Sequence, residues 1–368
     1  MPKFLIFEMN RIRNFAELID DSRWMNVEEY LTKENVFLER DLRLSMRLRE
    51  RLRGILLRSR QFRERLFRVD ARRLRKSLDI LYSGCAVASD GSIAVYPTAV
   101  GAKVRVGVVV VSYKGKLLSK EAYVSDFNTI DVNLKDPLRV LASLEGLTKR
   151  VRRIYNALML YKEREYVLRR KREWGFIHGP PLPLSASIAK IEMPGLLESF
   201  IGLAGEILDD KKLISVVSRT SMLRILNVGV VLEPGEYVDL GGGGFMLSKM
   251  LGSAQYRIPE LHGLVRRFDE EYKLGVYRVG LRPYIFMASS DLFHEGAHLI
   301  MADSLHQRLR GFPLLIDYAD AVCHSLFRAR DFKHKIEHRL MRMWGRLPVL
   351  DVPERRLRSG AEGASWIY

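Results

Sequence analysis

The sequence predicts an α/β protein, a mixed sheet flanked by helices and preceded by an Arg-rich helical arm. Three observations predict it. Runs rich in Val, Ile and Tyr between residues 85 and 124 alternate with turn residues, as in a β-meander. A long helical stretch then leads to two more short apolar runs, at Phe176-Ile177 and at Leu213-Ile214-Ser215-Val216-Val217. Before all of these, residues 36–80 contain no Pro and only Gly54, with apolar residues at helical spacing. Strand, strand, strand, helix, strand, helix, strand and terminal helix is an α/β order with an antiparallel start.

A short helix is expected near 26–32. In the stretch 36–80, Leu48, Leu52, Ile55, Ser59, Phe62, Leu66 and Val69 recur at steps of four and three, which predicts a heptad seam with one polar interruption. Cys85 to Ile93 reads as a short strand that turns at Asp90-Gly91-Ser92. A Val-rich strand follows over 104–112, then a hairpin turn at Tyr113-Lys114-Gly115-Lys116 and a returning strand over 118–124. Asp136-Pro137 opens a helix expected to run to about 173 with an interruption at Gly146. The strand at Phe176-Ile177-His178 is stopped by Gly179-Pro180-Pro181. A helix is expected over 196–208 and a buried strand over 213–218. Residues 233–260, with Glu233-Pro234-Gly235 and the run Gly241–Gly244, read as loop. A strand pair is expected over 276–287, and helices over 291–310 and 317–343. These elements group into a helical basic arm (1–80), a core (81–330) and a basic C-terminal helix and tail (331–368).

The chain has 368 residues with a formal net charge of +17. Between Arg40 and Lys76 fifteen basic residues face four acidic ones, so about two thirds of the excess charge lies in one stretch. Such a balance suggests a polyanionic partner, and an Arg-lined helix suits phosphates, which Arg holds bidentately. Cys85 and Cys323 are the only cysteines, which excludes a disulfide scaffold, a Cys-rich zinc finger and an iron–sulfur cluster. The N-terminal segment lacks the apolar stretch of a signal peptide, and the longest apolar run, Val106 to Val111, is far short of a membrane helix. The protein is expected to be soluble and cytoplasmic, with no membrane partner. No nucleotide-binding glycine motif occurs in a strand-to-helix context.

Several residues can carry chemistry. Asp90 sits beside Gly91 and Ser92, where a tight turn can aim a carboxylate into an open site. Glu163 and Glu165, two apart on a helix, point to different faces, so one can face the sheet while the other is solvated. His178 ends a central strand and can ligate a metal or move a proton. Ser218-Arg219-Thr220-Ser221 offers a cation and three hydroxyls for a phosphate. Gly311-Phe312-Pro313 enters a helix in which Asp320 lies one turn inside. His294-Glu295-Gly296-Ala297-His298 matches H-E-x-x-H, the helical zinc motif of peptidases. The position six residues after His298 is Ser304, and the first Glu beyond is Glu337, so a third zinc ligand is lacking nearby.

Taken in order, these segments resemble the NurA family of archaeal and bacterial DNA-repair nucleases over roughly residues 60–325. The matching pieces are Ala88-Ser89-Asp90-Gly91-Ser92, Ile177-His178-Gly179-Pro180, Val216-Val217-Ser218-Arg219-Thr220-Ser221, Val276-Tyr277-Arg278-Val279, and Gly311-Phe312-Pro313-Leu314-Leu315 through Ala319-Asp320-Ala321. The resemblance implies an RNase H-like core and hydrolysis of DNA ends with 5′-to-3′ polarity. It implies Mn2+ (or Mg2+) as cofactor, and a homodimer docked on a HerA-type hexameric ATPase during end resection at double-strand breaks. It assigns catalytic and metal-binding roles to Asp90, Glu163 (with Glu165 as second choice), His178 and Asp320. It assigns DNA binding to Arg219 and, along the basic arm, to Arg47, Arg51, Arg58 and Arg65. The chain departs from the family at two of these positions. His178 stands where the family usually has Asp, and Asp320 where it often has His. The exchange either compensates or leaves a weakened, DNA-binding protein, and H-E-x-x-H keeps a zinc peptidase as a further alternative.

Overall fold

The computed structural model describes residues 27–98, 101–115, 117–126, 128–129, 137–183, 191, 193–218 and 223–344. The chain divides into two compact units, Met1–Ser59 and Arg60–Tyr368. In the first, α1 (Val27–Arg58) is one continuous helix. Arg47, Arg51 and Arg58 are exposed on it, as are Leu42, Met46, Leu52 and Ile55.

The second unit begins with α2 (Arg60–Arg63) and β1 (Leu66–Arg68), followed by α3 (Ala71–Tyr82). The heptad seam expected through Phe62, Leu66 and Val69 therefore ends at Arg58. Leu66, Phe67 and Arg68 pair with Val238, Tyr237 and Glu236 as an edge strand, and Asp70 caps α3 by accepting from the N–H groups of Arg72 and Arg73 at 2.6 and 3.0 Å. A cap and a ladder partner distant in sequence override the helical spacing.

The sheet follows with β2 (Ala86–Thr98), β3 (Gly101–Val111), β4 (Leu117–Val124) and the short β5 (Asn128–Thr129). β2 runs straight through Asp90-Gly91-Ser92, which pair with Val109, Val108 and Gly107 of β3, so the expected turn is a strand interior. Val108 to Val111 are buried, as a strand covered on both faces requires. α4 (Pro137–Arg170) passes Gly146 without interruption and leads into β6 (Trp174–His178). α5 (Leu196–Asp209) and β7 (Leu213–Val217) lie as expected.

Residues 233–260 are not loop. After α6 (Leu223–Val230), β8 (Glu236–Gly242) includes the first two glycines of the run, and α7 (Gly244–Leu251) starts at the last. The glycines are needed because Cβ atoms at Gly242 and Gly244 would collide with Asp269, whose carboxylate accepts from the Gly244 N–H at 2.9 Å. α8 (Ala254–Arg257), α9 (Pro259–Glu271), β9 (Tyr272–Arg278), β10 (Pro283–Ser289), α10 (Phe293–Ser304), α11 (Leu314–Leu326) and α12 (Ala329–Trp344) complete the order.

Among the described residues ten strands form one mixed sheet, ordered β1-β8-β9-β10-β7-β6-β2-β3-β4, with β5 beside β3. β6 pairs parallel with both β2 and β7, and the other pairings are antiparallel. One face packs Val87, Ile177, Leu213 and Val217 with Ala157 and Val167 of α4 and Phe200 and Leu203 of α5. The opposite face packs Ala86, Ala88, Ile214 and Phe286 with Phe293 and Ala297 of α10 and Leu315 and Ala319 of α11. Among the described residues no helix is long and apolar enough to cross a membrane.

Candidate active site

The parallel pairing of β2 with β6 stops at Ser89 and Ile177, so Asp90 is the first residue of β2 beyond it, where the two strands part. Ligand crevices in α/β sheets form at such carboxyl ends. Alternation along β2 places Asp90 with Ala86 and Ala88, on the face covered by α11. That helix is pinned over it. Ser92 Oγ donates to the carbonyl of Phe327 at 3.1 Å, and a Cβ on Gly107 would strike the Phe327 ring. Asp320 of α11 thereby comes close enough for its charge to act on Asp90.

Glu163 approaches from the other face. A Cβ at Gly91 would collide with Glu163 Oε1 and with Met159, so the missing side chain is the gap through which the carboxylate enters. The Gly91 N–H favours the charged forms of both Asp90 and Glu163. Burial pushes the Asp90 carboxyl up to about 8, and the charges of Glu163 and Asp320 push the same way. Burial also raises Glu163, against the pull of Arg164. Glu165 is turned away, ion-paired to Lys162 at 2.7 Å and to Arg169 at 2.6 Å.

Sequence reasoning missed Arg164. In sequence it lies among Lys162, Arg169 and Arg170 with nothing to set it apart, yet its side chain is only 1% exposed. Nη1 donates to Glu163 Oε2 at 2.8 Å and to the Leu160 carbonyl at 3.1 Å, Nη2 to the Pro180 carbonyl at 2.9 Å, and Nε to the Pro181 carbonyl at 3.3 Å. One guanidinium thus ties the helix bearing Glu163 to the turn after His178. Cys323 was also missed. Its thiol lies beside the cluster, and burial followed by Asp90, Glu163 and Asp320 raises its pKa.

His178 is exposed as a residue, but its ring is partly shielded. Nε2 lies 2.7 Å from Ser218 Oγ, and the ring meets Phe312 edge to face at 5.6 Å. Loss of water around the imidazole lowers its pKa, while Asp320 and Asp317 act in the opposite sense. His178 and Asp320 therefore share one electrostatic neighbourhood. Arg219, Thr220 and Ser221 lie outside the described residues. Arg65 is exposed in the turn just before β1, while Arg47, Arg51 and Arg58 belong to the separate helical unit.

Among the described residues no three His, Cys, Asp or Glu side chains already converge as a metal-holding group. The donor chemistry nevertheless fits a hard divalent cation. Asp90 and Asp320 offer carboxylate oxygens, and the charge of Asp320 works against ionisation of Asp90. A cation bound between them would relieve that repulsion.

The H-E-x-x-H histidines serve packing. His298 is 3% exposed, its Nδ1 bonds the His294 carbonyl, and its Nε2 accepts from the Asp70 N–H at 3.4 Å. His294 Nδ1 bonds Tyr237 OH at 2.9 Å, and its ring meets Phe67 at 4.6 Å. With both nitrogens of His298 engaged, the pair is not available to zinc as placed. Gly296, a cost in an isolated helix, lets α10 close on β10, where a Cβ would lie 3.1 Å from that of Ala288.

The strand order β4-β3-β2-β6-β7 is antiparallel over its first three members and parallel over the last two. It carries Asp90 on the first of these strands in sequence and Glu163 on the helix before β6. The fold is RNase H-like. No family model matches the chain, and no curated protein matches it. Similar solved structures include the NurA nuclease from Sulfolobus solfataricus, at 14% identity, TM-score 0.48, and coverage of 87% of this chain and 98% of that one. NurA bound to dAMP and manganese is similar at 11% identity, TM-score 0.42, covering 80% and 93%. An endonuclease V from Bacillus subtilis is similar at 11% identity, TM-score 0.31, covering 68% and 82%. At these identities and TM-scores the likenesses carry no argument about chemistry or chain course, and the functional reading rests on the residues of the site.

Proposed function

We propose that the chain is a divalent-metal-dependent nuclease that hydrolyses DNA. The observation that carries this reading is the approach of Glu163 through the gap at Gly91, and of Asp320 from α11, to the buried Asp90 carboxyl, which burial first and their charges second push up to about 8. Asp90 and Asp320, with Glu163 in reach, would hold Mn2+ or Mg2+. A cation bound there supplies Lewis-acid polarisation of a phosphodiester and lowers the pKa of water.

The protein's own groups do the rest. Gly91 and Arg164 fix the oxygens of Glu163. His178, bonded to Ser218 and kept from full hydration, is suited to hold or pass a proton at the strand end. The exchange of Asp for His at 178 and of His for Asp at 320 leaves one imidazole and one carboxylate in the same neighbourhood, which favours an active site over a weakened one. The net charge of +17 supplies attraction for the phosphate backbone without reading sequence. Arg65, Arg219 and, on the helical unit, Arg47, Arg51 and Arg58 are the proposed DNA contacts.

On the family resemblance, the finer reading is a homodimer that processes DNA ends 5′ to 3′ beside a HerA-type hexameric ATPase in end resection.

The test uses end-labelled single- and double-stranded DNA, with and without Mn2+, beside Asp90→Ala. The expected result is Mn2+-dependent degradation that is lost in a folded Asp90→Ala protein. Full activity in that variant would remove the site assignment.

A further inference from the structure

Two leucines stand in water beside the candidate site with nothing in its chemistry to explain them. Leu281, in the turn between β9 and β10, is 71% exposed, and Leu309, in the turn before α11, is 80% exposed. Their backbones are joined, with the Leu281 N–H donating to the Leu309 carbonyl at 3.0 Å. The two turns are pressed together backbone to backbone. A Cβ on Gly280 would lie 2.5 Å from the Arg308 carbonyl oxygen, and one on Gly311 would lie 2.5 Å from the Gly280 nitrogen. Gly311 also has φ +72°, a conformation that favours glycine. The leucines are thus presented by a stiff double turn.

Their surroundings are cationic and connect to the site through Phe312. Arg282, Arg308 and Arg310 are all exposed around them. The Arg310 guanidinium lies 4.8 Å over the Phe312 ring and is ion-paired to Asp317, one turn before Asp320. Phe312 in turn meets His178. Exposed apolar side chains flanked by arginines, on a rigid support next to a phosphodiester-cutting centre, have the chemistry of a wedge. Apolar residues inserted at a base step unstack it, and neighbouring cations hold the displaced backbone.

We propose that Leu281 and Leu309 form a wedge that opens the terminal base pairs of a DNA duplex and delivers one strand to the site. The proposal rests on the nuclease reading and sharpens its substrate to duplex ends. A protein partner on the same patch is the competing occupant. The three arginines and the contact chain to His178 favour nucleic acid.

The experiment compares the full-length chain with Leu281→Ser/Leu309→Ser and with Leu309→Met. The probe is a blunt DNA duplex carrying 2-aminopurine as its terminal base, in EDTA. The wild type and Leu309→Met should raise 2-aminopurine fluorescence on binding. The double serine variant should bind, by anisotropy of a remote label, without the rise. With Mn2+ its ratio of blunt-duplex to single-strand cleavage should fall at least tenfold. Equal fluorescence and equal cleavage ratios in wild type and double variant would overturn the wedge alone and point to a protein-docking patch. A wild type that binds no DNA would remove the nuclease reading and the wedge together. Both leucines are exposed, so circular dichroism should show the variants folded.

Discussion

Arg164 donates to Glu163 at 2.8 Å in a pair that is almost wholly buried, and the same guanidinium is bonded to the carbonyls of Pro180 and Pro181. Breaking a buried pair from one side leaves an uncompensated charge and costs about 3–5 kcal/mol. Arg164→Met is therefore expected to lower unfolding free energy by that order in urea titrations. Arg164→Met/Glu163→Gln, with no charge left to compensate, should recover a large part of it. Equal loss in single and double variants would show that the pair is not coupled as described.

Gly91 is expected to tolerate no side chain. Its alanine variant must displace Glu163 or Met159, so Gly91→Ala should lose stability and most nuclease activity together. Gly146 in α4 has open space where a Cβ would be, and Gly146→Ala should raise stability by roughly 0.5–1 kcal/mol. Thermal melts of both variants check the contrast.

The pH dependence has a definite sign. The Asp90 carboxyl sits at about 8 in the folded protein, above the roughly 3.9 of an unfolded chain, so the native state keeps a proton the unfolded state releases. Without metal, this group's contribution to stability is full below about pH 4 and declines as pH rises toward 8. Asp303, buried and pushed up to about 7, adds a decline of the same sign over a narrower window. The expected observation is a difference. Asp90→Asn flattens the fall in melting temperature between pH 5 and 8, and added Mn2+ restores wild-type stability more at pH 8 than at pH 6, because protons compete with the ion.

His298 is expected to be structural. His298→Ala should destabilise the contact between α10 and the start of α3 without changing metal content. Stoichiometric zinc in the purified protein, lost in that variant, would revive the peptidase reading.

Strands rich in Val and Ile, the long helix and the late helices were legible because each is a run of local preference. Asp90 and Asp320 could be nominated from the order of their motifs, and Glu163 from its place on the helix before β6. What was illegible depends on partners distant in sequence. Leu66 to Arg68 are a strand only because β8 offers an edge. Asp90-Gly91-Ser92 has the composition of a turn, but Gly91 is there to admit Glu163. Gly241–Gly244 breaks no element, since Asp269 fills the space a side chain would take. Arg164 looks like its neighbours in sequence, and only the carbonyls of Pro180 and Pro181 distinguish it. The choice between Glu163 and Glu165 needed the same information, because periodicity assigns two faces but not which one meets the sheet.

The central claim is that Asp90 and Asp320, held together from β2 and α11 with Glu163 in reach, form one cation site. Its most direct test is a Mn2+ titration followed by electron paramagnetic resonance of the free ion, with the wild type beside Asp90→Asn and Asp320→Asn. The account predicts saturable Mn2+ binding by the wild type at pH 8, weakened at least tenfold by either substitution. Binding of equal strength in all three proteins would contradict it.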